Sequence, residues 1–161
     1  MEILEKVYSP LFIELIKNEY SRKIIQDSDE DEKTKKEYRV KELPFITWSS
    51  VRTNTKMTAG RTEIHQEEFD VFDIDIKLRE ICDDSERLKY APKDLVALIE
   101  SYFFLENVKG DPMYESEKVR IQRHIRRNII IGYKKYRKRL GLKDVSHIKF
   151  SSSVMGWVKF W

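Results

Sequence analysis

Two aspartates, two residues apart, are the side chains of this sequence best suited to phosphoryl-transfer chemistry. Asp73 and Asp75 alternate with apolar residues in the segment 69–77, and this period of two predicts a β-strand with one polar face. On such a strand the two carboxylates share a face, with their α-carbons about 6–7 Å apart. They could then bind Mg²⁺ or Mn²⁺, and two such ions stabilise the attacking and leaving oxygens of phosphoryl transfer. We therefore predict Asp73 and Asp75 as metal-binding catalytic residues, with a solvated edge strand as the alternative.

A metal-dependent nuclease is a second kind of site that this region could form. It needs an acid on one strand and an acid-x-lysine pattern on the next, which Glu63, Asp75 and Lys77 supply. A nucleotidyltransferase pattern instead needs a glycine turn ahead of the acidic strand. Gly60 stands at a suitable distance, although Arg61 follows it where a serine is usual. Both patterns are short, so spacing alone leaves the two alternatives open.

A basic helix is the other candidate for chemistry. Between residues 118 and 143 there are eleven lysines and arginines and no acid. Like charges on one helix repel each other, and a phosphate backbone relieves this repulsion while counterions are released. The alternative is a solvated face that balances the acidic segments 27–37 and 63–84. We predict sequence-independent contacts to a nucleic-acid template or primer by Arg120, Arg123, Arg126, Arg127, Lys134, Lys135, Arg137 and Lys138.

The order of predicted helices and strands along the chain indicates an α/β or α+β fold. We expect a small mixed or antiparallel sheet covered by long helices. A helix over residues 3–26 is followed by a charged, mobile loop over residues 27–37. Strands are predicted from residue 45 and over residues 69–77, with further strands at 148–151 and 157–161. Helices begin at Pro92 and Pro112. We expect a single domain over residues 1–161.

The last predicted helix has the clearest boundaries. It ends near Leu140, where Gly141 allows the left-handed conformation that stops a helix. Helical spacing predicts that it buries a stripe consisting of Ile121, Ile125, Ile129, Tyr133, Tyr136 and Leu140.

Composition limits the class of protein. The 161 residues carry a formal net charge of +3 and a single cysteine, Cys82. One cysteine excludes an internal disulfide and a multi-cysteine zinc site, so we expect no zinc and a reducing compartment. The N-terminus lacks the pattern of a signal peptide, and the apolar stretches are too short for a membrane span. These features predict a cytoplasmic protein that does not enter a membrane.

Residues 67–75, Glu-Glu-Phe-Asp-Val-Phe-Asp-Ile-Asp, resemble the first catalytic motif of the small, catalytic subunit of archaeo-eukaryotic DNA primase. Residues 50–52 and 147–158 are similar, in the same order, to that family's basic strand and its serine-glycine phosphate loop. The resemblance implies a primase-like core in which Asp73 and Asp75 hold Mg²⁺ or Mn²⁺. It also implies that nucleotide phosphates contact Arg52, Lys77, Ser151, Ser152 and Ser153.

The chain departs from the primase pattern at Trp157 and Val158, where the family has a histidine. The resemblance therefore implies a nucleotidyltransferase of DNA replication that is active, is inactive, or is completed by a partner subunit. The alternative function is a non-enzymatic accessory protein of replication or of a virus, which binds nucleic acid through the same basic helix.

Overall fold

Helices form most of the part of the chain that the computed structural model describes. The described residues are 1–28, 31–46, 48–58, 61–108 and 112–143. Within the two strands, side chains are described only for Thr55, Thr62 and Ile64. Outside the strands, the side chain of Thr34 is not described. The elements in chain order are a π-helical turn at Leu4–Tyr8, α1 Ser9–Ser28, α2 Glu32–Glu37, β1 Trp48–Thr58, β2 Arg61–Phe72, α3 Ile74–Asp83, α4 Ser85–Leu88, α5 Lys93–Asn107 and α6 Pro112–Arg139.

The predicted α/β fold, with helices packed on a sheet, is wrong. β1 and β2 form an antiparallel hairpin with Thr58 opposite Arg61, and within the described residues no third strand joins them. The helices pack on one another instead, with α5 against α6 and α1 against both α3 and α6. Two strands bury too little apolar surface to stabilise a domain, so the helices must supply the core. The strands predicted at 148–151 and 157–161 lie outside the described residues.

The predicted N-terminal helix is confirmed, and its first turn is π-helical. The N–H of Ser9 bonds to the carbonyl of Leu4, five residues earlier. Pro10 comes next, and in a regular α-helix its ring would clash with the carbonyl four residues before it. The wider π-helical turn gives the ring room, so the helix continues through the proline.

Within the charged segment 27–37, the described residues are largely helical, where we predicted a loop. α1 extends to Ser28, and α2 covers Glu32–Glu37. The side-chain amide of Gln26 donates to the carbonyls of Lys35 and Tyr38, at 3.3 Å each. These two bonds tie the end of α2 back to α1.

Two buried polar side chains of α1 anchor the segment that leads into β1. Arg22 donates to the carbonyls of Tyr38 and Pro44, at 2.6 and 3.0 Å. Asn18 donates to the carbonyl of Ile46 at 2.7 Å. Because these carbonyls bond to α1, they are not available for strand pairing. β1 accordingly begins after this segment, later than the predicted start of the strand.

One hydrophobic cluster joins α1, α3, α5 and α6. Each helix contributes apolar side chains at spacings of three and four residues, which places them on one face of that helix. The fully buried members include Leu11, Leu15, Ile74, Leu78, Ile81, Leu95, Ile99, Ile125 and Ile129.

The predicted apolar stripe of α6 is confirmed along most of its length. Ile121, Ile125 and Ile129 are buried, and the two tyrosines of the stripe are partly buried against the same cluster. Leu140, which we predicted at the end of the stripe, is exposed instead. Gly141 has a φ of 65° and stops the helix as predicted.

The π-helical turn before α1 packs against α6 at a glycine. The ring of Tyr8, just before α1, lies so close to Gly132 that a Cβ atom there would be 2.0 Å from the ring. The hydroxyl of Tyr8 donates to Oδ1 of Asn128 at 3.2 Å. Farther along the antiparallel pair, Glu19 of α1 binds Arg126 of α6 at 3.0 Å. The missing side chain at Gly132 therefore sets the distance between the two helices.

We predict that Gly132→Ala lowers the free energy of unfolding by about 2–4 kcal/mol, because the new methyl group overlaps the ring of Tyr8. In an ordinary helix interior the same substitution stabilises by up to about 1 kcal/mol, so the sign of the effect is diagnostic. Urea denaturation followed by circular dichroism measures the change.

The control uses Tyr8→Ala, which removes the ring. In that background Gly132→Ala should be neutral or stabilising, because the overlap no longer exists. A gain in stability on Gly132→Ala in the otherwise unchanged protein would show that the helices are not in contact at this point.

Candidate functional site

The two aspartates predicted on a strand lie instead at the start of a helix. Asp73 has an extended backbone, with φ −148° and ψ 117°, and its Oδ1 accepts a hydrogen bond from the N–H of Asp75 at 2.8 Å. Aspartate is a preferred residue at this position because its carboxylate satisfies an N–H group that the helix leaves free. Ile74, Leu78 and Ile81 are buried, and their spacing of four and three residues is typical of a helix. The alternation of acidic and apolar residues over 69–77 had instead predicted a strand.

Asp75 lies in the first turn of α3 and faces a buried polar chain between helices. Gln122 of α6 donates to the hydroxyl of Tyr102 at 3.3 Å, and this hydroxyl donates to Oδ2 of Asp75 at 2.9 Å. Oδ1 of Asp75 is buried without a hydrogen-bond partner among the described residues. Among the described residues the buried carboxylate is therefore held by one hydrogen bond, from Tyr102.

This setting changes the acidity of the carboxylate. Burial raises the pKa of Asp75 to about 6, and repulsion from Asp73 and Glu106 acts in the same direction. The hydrogen bond from Tyr102 and the nearby ammonium of Lys118 oppose this increase. Burial also raises the pKa of Tyr102, so its hydroxyl stays protonated and continues to donate.

Each of the two carboxylates uses one oxygen within the fold. Asp73 uses an oxygen to cap α3, and Asp75 uses one to accept from Tyr102. Among the side chains that the structure describes, no three acids, histidines or cysteines lie close enough to hold a metal ion together. An open site for Mg²⁺ needs several free oxygens around one point. The binding of Mg²⁺ or Mn²⁺ by Asp73 and Asp75 stays a prediction.

Only one of the remaining predicted nucleotide- or metal-binding residues has a described side chain. Lys77 forms an ion pair with Glu80 at 2.6 Å, one turn farther along α3. The ammonium group of Lys77 is thus directed to a neighbour on its own helix. Arg52 lies in β1 and Glu63 in β2. Ser151, Ser152 and Ser153 lie outside the described residues.

Most of the basic residues of α6 lie on its solvent side. At 3.6 residues per turn, seven of them fall within about one third of the helix circumference, opposite the buried isoleucines. All are exposed except Lys134, which is partly exposed. We call this set the basic stripe: Arg120, Arg123, His124, Arg127, Lys134, Lys135 and Lys138.

Cations on the other sides of α6 have partners within the fold. Lys118 pairs with Glu106 of α5. Arg126 pairs with Glu19 of α1 at 3.0 Å, and both of these side chains are mostly buried. These pairs link α6 to α5 and α1, so they stabilise the packing of the helices. They do not lie on the solvent face of α6, where the stripe is.

Two of the eight residues predicted to contact nucleic acid therefore do not belong to the basic stripe. Arg126 is one of them, because it binds Glu19. Arg137 is the other, since it donates to the hydroxyl of Tyr133 at 3.3 Å and to the carbonyl of Lys143 at 3.2 Å. The other six lie on the stripe, where Arg120 also pairs with Glu117 at the surface, at 2.7 Å.

A groove of about 440 Å³ lies between α5 and α6, beside the basic stripe. Its apolar lining includes Leu98 of α5 and Ile131 of α6. The rings of Tyr8 and Tyr136 also line it and stack on each other with their centroids 5.4 Å apart. The lining side chains thus come from both helices and from the turn that precedes α1.

The polar lining of the groove is mostly basic. His124, Arg127 and Lys135 belong to it as well as to the basic stripe, and Asp94 is its acid. Asn128 accepts the hydroxyl proton of Tyr8 at Oδ1, which leaves its Nδ2 group free to donate to a ligand. Burial raises the pKa of Tyr8 to about 12, so the hydroxyl remains the donor.

Sequence reasoning missed this groove. Asn128 and Ile131 follow His124 and Arg127 by four residues each, and a helical projection of α6 would have placed Ile131 on the basic side. Leu98 and Asp94 belong to another helix. Only the packing of α5 against α6 brings them to the same place.

The comparisons with known proteins give no family for this chain. No family model matches it, and no curated protein or solved structure shows significant similarity to it. No helix in the described part of the chain combines the length and the hydropathy that crossing a lipid bilayer requires.

The raised pKa of Asp75 predicts a pH-dependent stability. A carboxyl group whose pKa is about 6 when folded and near 3.8 when unfolded favours the folded state while it is protonated. This contribution is complete below pH 4 and is lost as the pH rises to about 6. We expect the stability of Asp75→Asn, relative to the unchanged protein, to increase by roughly 1–3 kcal/mol between pH 4 and pH 7.5.

Urea denaturation at several pH values tests this prediction. Tyr102→Phe is the companion variant, because it removes the hydrogen bond that lowers the pKa of Asp75 and should move the pH transition upward. A stability difference between Asp75→Asn and the unchanged protein that is the same at every pH would contradict the raised pKa.

Proposed function

We propose that this protein binds nucleic acid through the basic stripe of α6, largely without regard to base sequence. The observation that supports this function is the segregation of charge on that helix. Seven basic side chains lie on the solvent side, the buried isoleucines lie on the other, and Lys118 and Arg126 are paired with acids of neighbouring helices. Like charges crowded on one face are unfavourable in water and become favourable beside a polyanion.

The length of the stripe suits a nucleic-acid backbone. From Arg120 to Lys138 the helix rises about 27 Å, at 1.5 Å per residue. This distance corresponds to about eight phosphates of one strand, at roughly 3.4 Å per phosphate along the axis. Six lysines and arginines along that length can each approach a phosphate and release counterions.

The low specificity for base sequence follows from the chemistry of the contacts between cations and phosphates. Lysine and arginine side chains that meet phosphates fix the position of a nucleic acid and do not identify its bases. Arg127 and Lys138 make no ion pair with any described residue, so their charges are available for such contacts. Asp73 and Asp75, which would carry nucleotidyl transfer of the primase type, each have a hydrogen-bond partner within the fold. That activity stays a prediction.

The salt dependence of binding tests the proposal. We predict that Arg123→Gln, Lys134→Gln and Lys138→Gln, combined in one variant, weaken the binding of a 20-nucleotide strand by about tenfold or more at 100 mM KCl. The slope of log K against log salt should also fall by about 2 in magnitude, because roughly 0.7 counterions are released per contact with a single strand. Fluorescence anisotropy over a range of salt concentrations measures both quantities.

The matched control changes the same number of charges elsewhere. Lys33, Lys36 and Lys41 are exposed in and after α2, and replacing them with glutamine alters the net charge by the same amount. Equal losses in the two triple variants would show that only net charge matters. Absence of binding by the unchanged protein at 50 mM KCl would refute the proposed function.

A further inference from the structure

We propose that the groove between α5 and α6 takes one base of a single-stranded nucleic acid whose phosphates lie along the basic stripe. This inference rests on the proposed function and names the kind of nucleic acid that the stripe binds.

The groove and the stripe are continuous. His124, Arg127 and Lys135 belong to both, so a strand held by the stripe must pass the mouth of the groove. Phosphates bound by Arg127 and Lys135 would flank the groove on either side, since these residues are two turns apart on α6. A base of the same strand would then lie within reach of the lining.

The size and the apolar lining of the groove suit an aromatic base. Its volume of about 440 Å³ lies in the range of small-molecule sites. Ile131 is 52% exposed and lines the groove among the basic residues of the stripe, so an apolar surface is accessible to a ligand at this point. Together with Leu98 it supplies the apolar contact that the faces of a base require.

The polar groups of the groove match the edge of a base. Asn128 can donate through Nδ2, because its Oδ1 is already occupied by the hydroxyl of Tyr8. Asp94 lies in the first turn of α5, where a carboxylate is favoured, and as a lining residue of the groove it can also accept a hydrogen bond from an amino group of a base. Ring nitrogens, carbonyls and amino groups of bases complement this pair of donor and acceptor.

Only an unpaired strand can supply such a base readily. In a duplex the bases are stacked and paired, and a base must be extruded before it can enter a protein pocket. The groove therefore predicts a preference for single strands, whereas the stripe alone would bind single and double strands by charge.

The experiment compares two probes with the same number of phosphates. One is a fluorescent 15-nucleotide single strand, and the other is a strand of the same length in which every base is replaced by an abasic residue. We expect the intact strand to bind at least about fivefold more tightly, because removing the apolar faces of one base from water contributes about a factor of five or more. Anisotropy titrations with the full chain at 100 mM KCl measure both affinities.

A pair of matched variants localises the effect. Ile131→Lys removes the apolar lining while it adds a positive charge, so the preference for the intact strand should fall to near unity and binding of the abasic strand should not weaken. Ile13→Lys makes the same change at an isoleucine of α1 with similar exposure, 53%, and should leave the preference unchanged. Thermal denaturation of both variants confirms that they remain folded.

The outcomes separate the two proposals. If the intact and abasic strands bind equally tightly, the groove takes no base, while binding by the stripe stands. If the preference exists but survives Ile131→Lys, the base binds elsewhere and the inference is overturned. If neither strand binds, the proposed function fails and this inference fails with it.

Discussion

The contact between the ring of Tyr8 and the backbone of Gly132 determines how α1 is placed against α6. A side chain at position 132 would force the two helices apart, because its Cβ atom would lie 2.0 Å from the ring. The close approach turns the isoleucines of α6 toward the common core and brings Glu19 within 3.0 Å of Arg126. Once this side of α6 is covered, the opposite side must face solvent, and that side carries the basic stripe. The same ring lines the groove, so one contact shapes the fold and the candidate site together.

The cations of α6 have two different physical roles, and burial separates them. Lys118 and Arg126 meet acids of neighbouring helices, where removing one partner would leave an uncompensated charge. Such pairs favour one arrangement of the helices over its alternatives. The cations of the stripe remain in water, where Arg120 and Glu117 form a weak surface pair. A helix with this division can be held tightly on one side and still offer several charges to a polyanion on the other.

Asp73 and Asp75 show how local pattern and tertiary burial can compete. Alternation of acidic and apolar residues predicted a strand, but aspartate also favours the first position of a helix, and Ile74, Leu78 and Ile81 have helical spacing. The buried face of α3 decided between the two, because it places all three apolar residues in the core. As a result the two carboxylates point to a helix terminus and to Tyr102 rather than to a shared surface of a sheet.

The sequence by itself determined the features that depend on neighbours along the chain: the N-terminal helix, the extent of α6 from Pro112 to the turn at Gly141, its buried isoleucines and its excess of positive charge. Helical periodicity, proline and glycine act locally, so they can be recognised without knowing the fold. Tertiary structure alone decided that the helices pack on each other instead of on a sheet, that Arg126 and Arg137 are occupied within the fold, and that α5 supplies one side of a groove. These outcomes depend on contacts between residues far apart in the chain, for which the local pattern carries no signal.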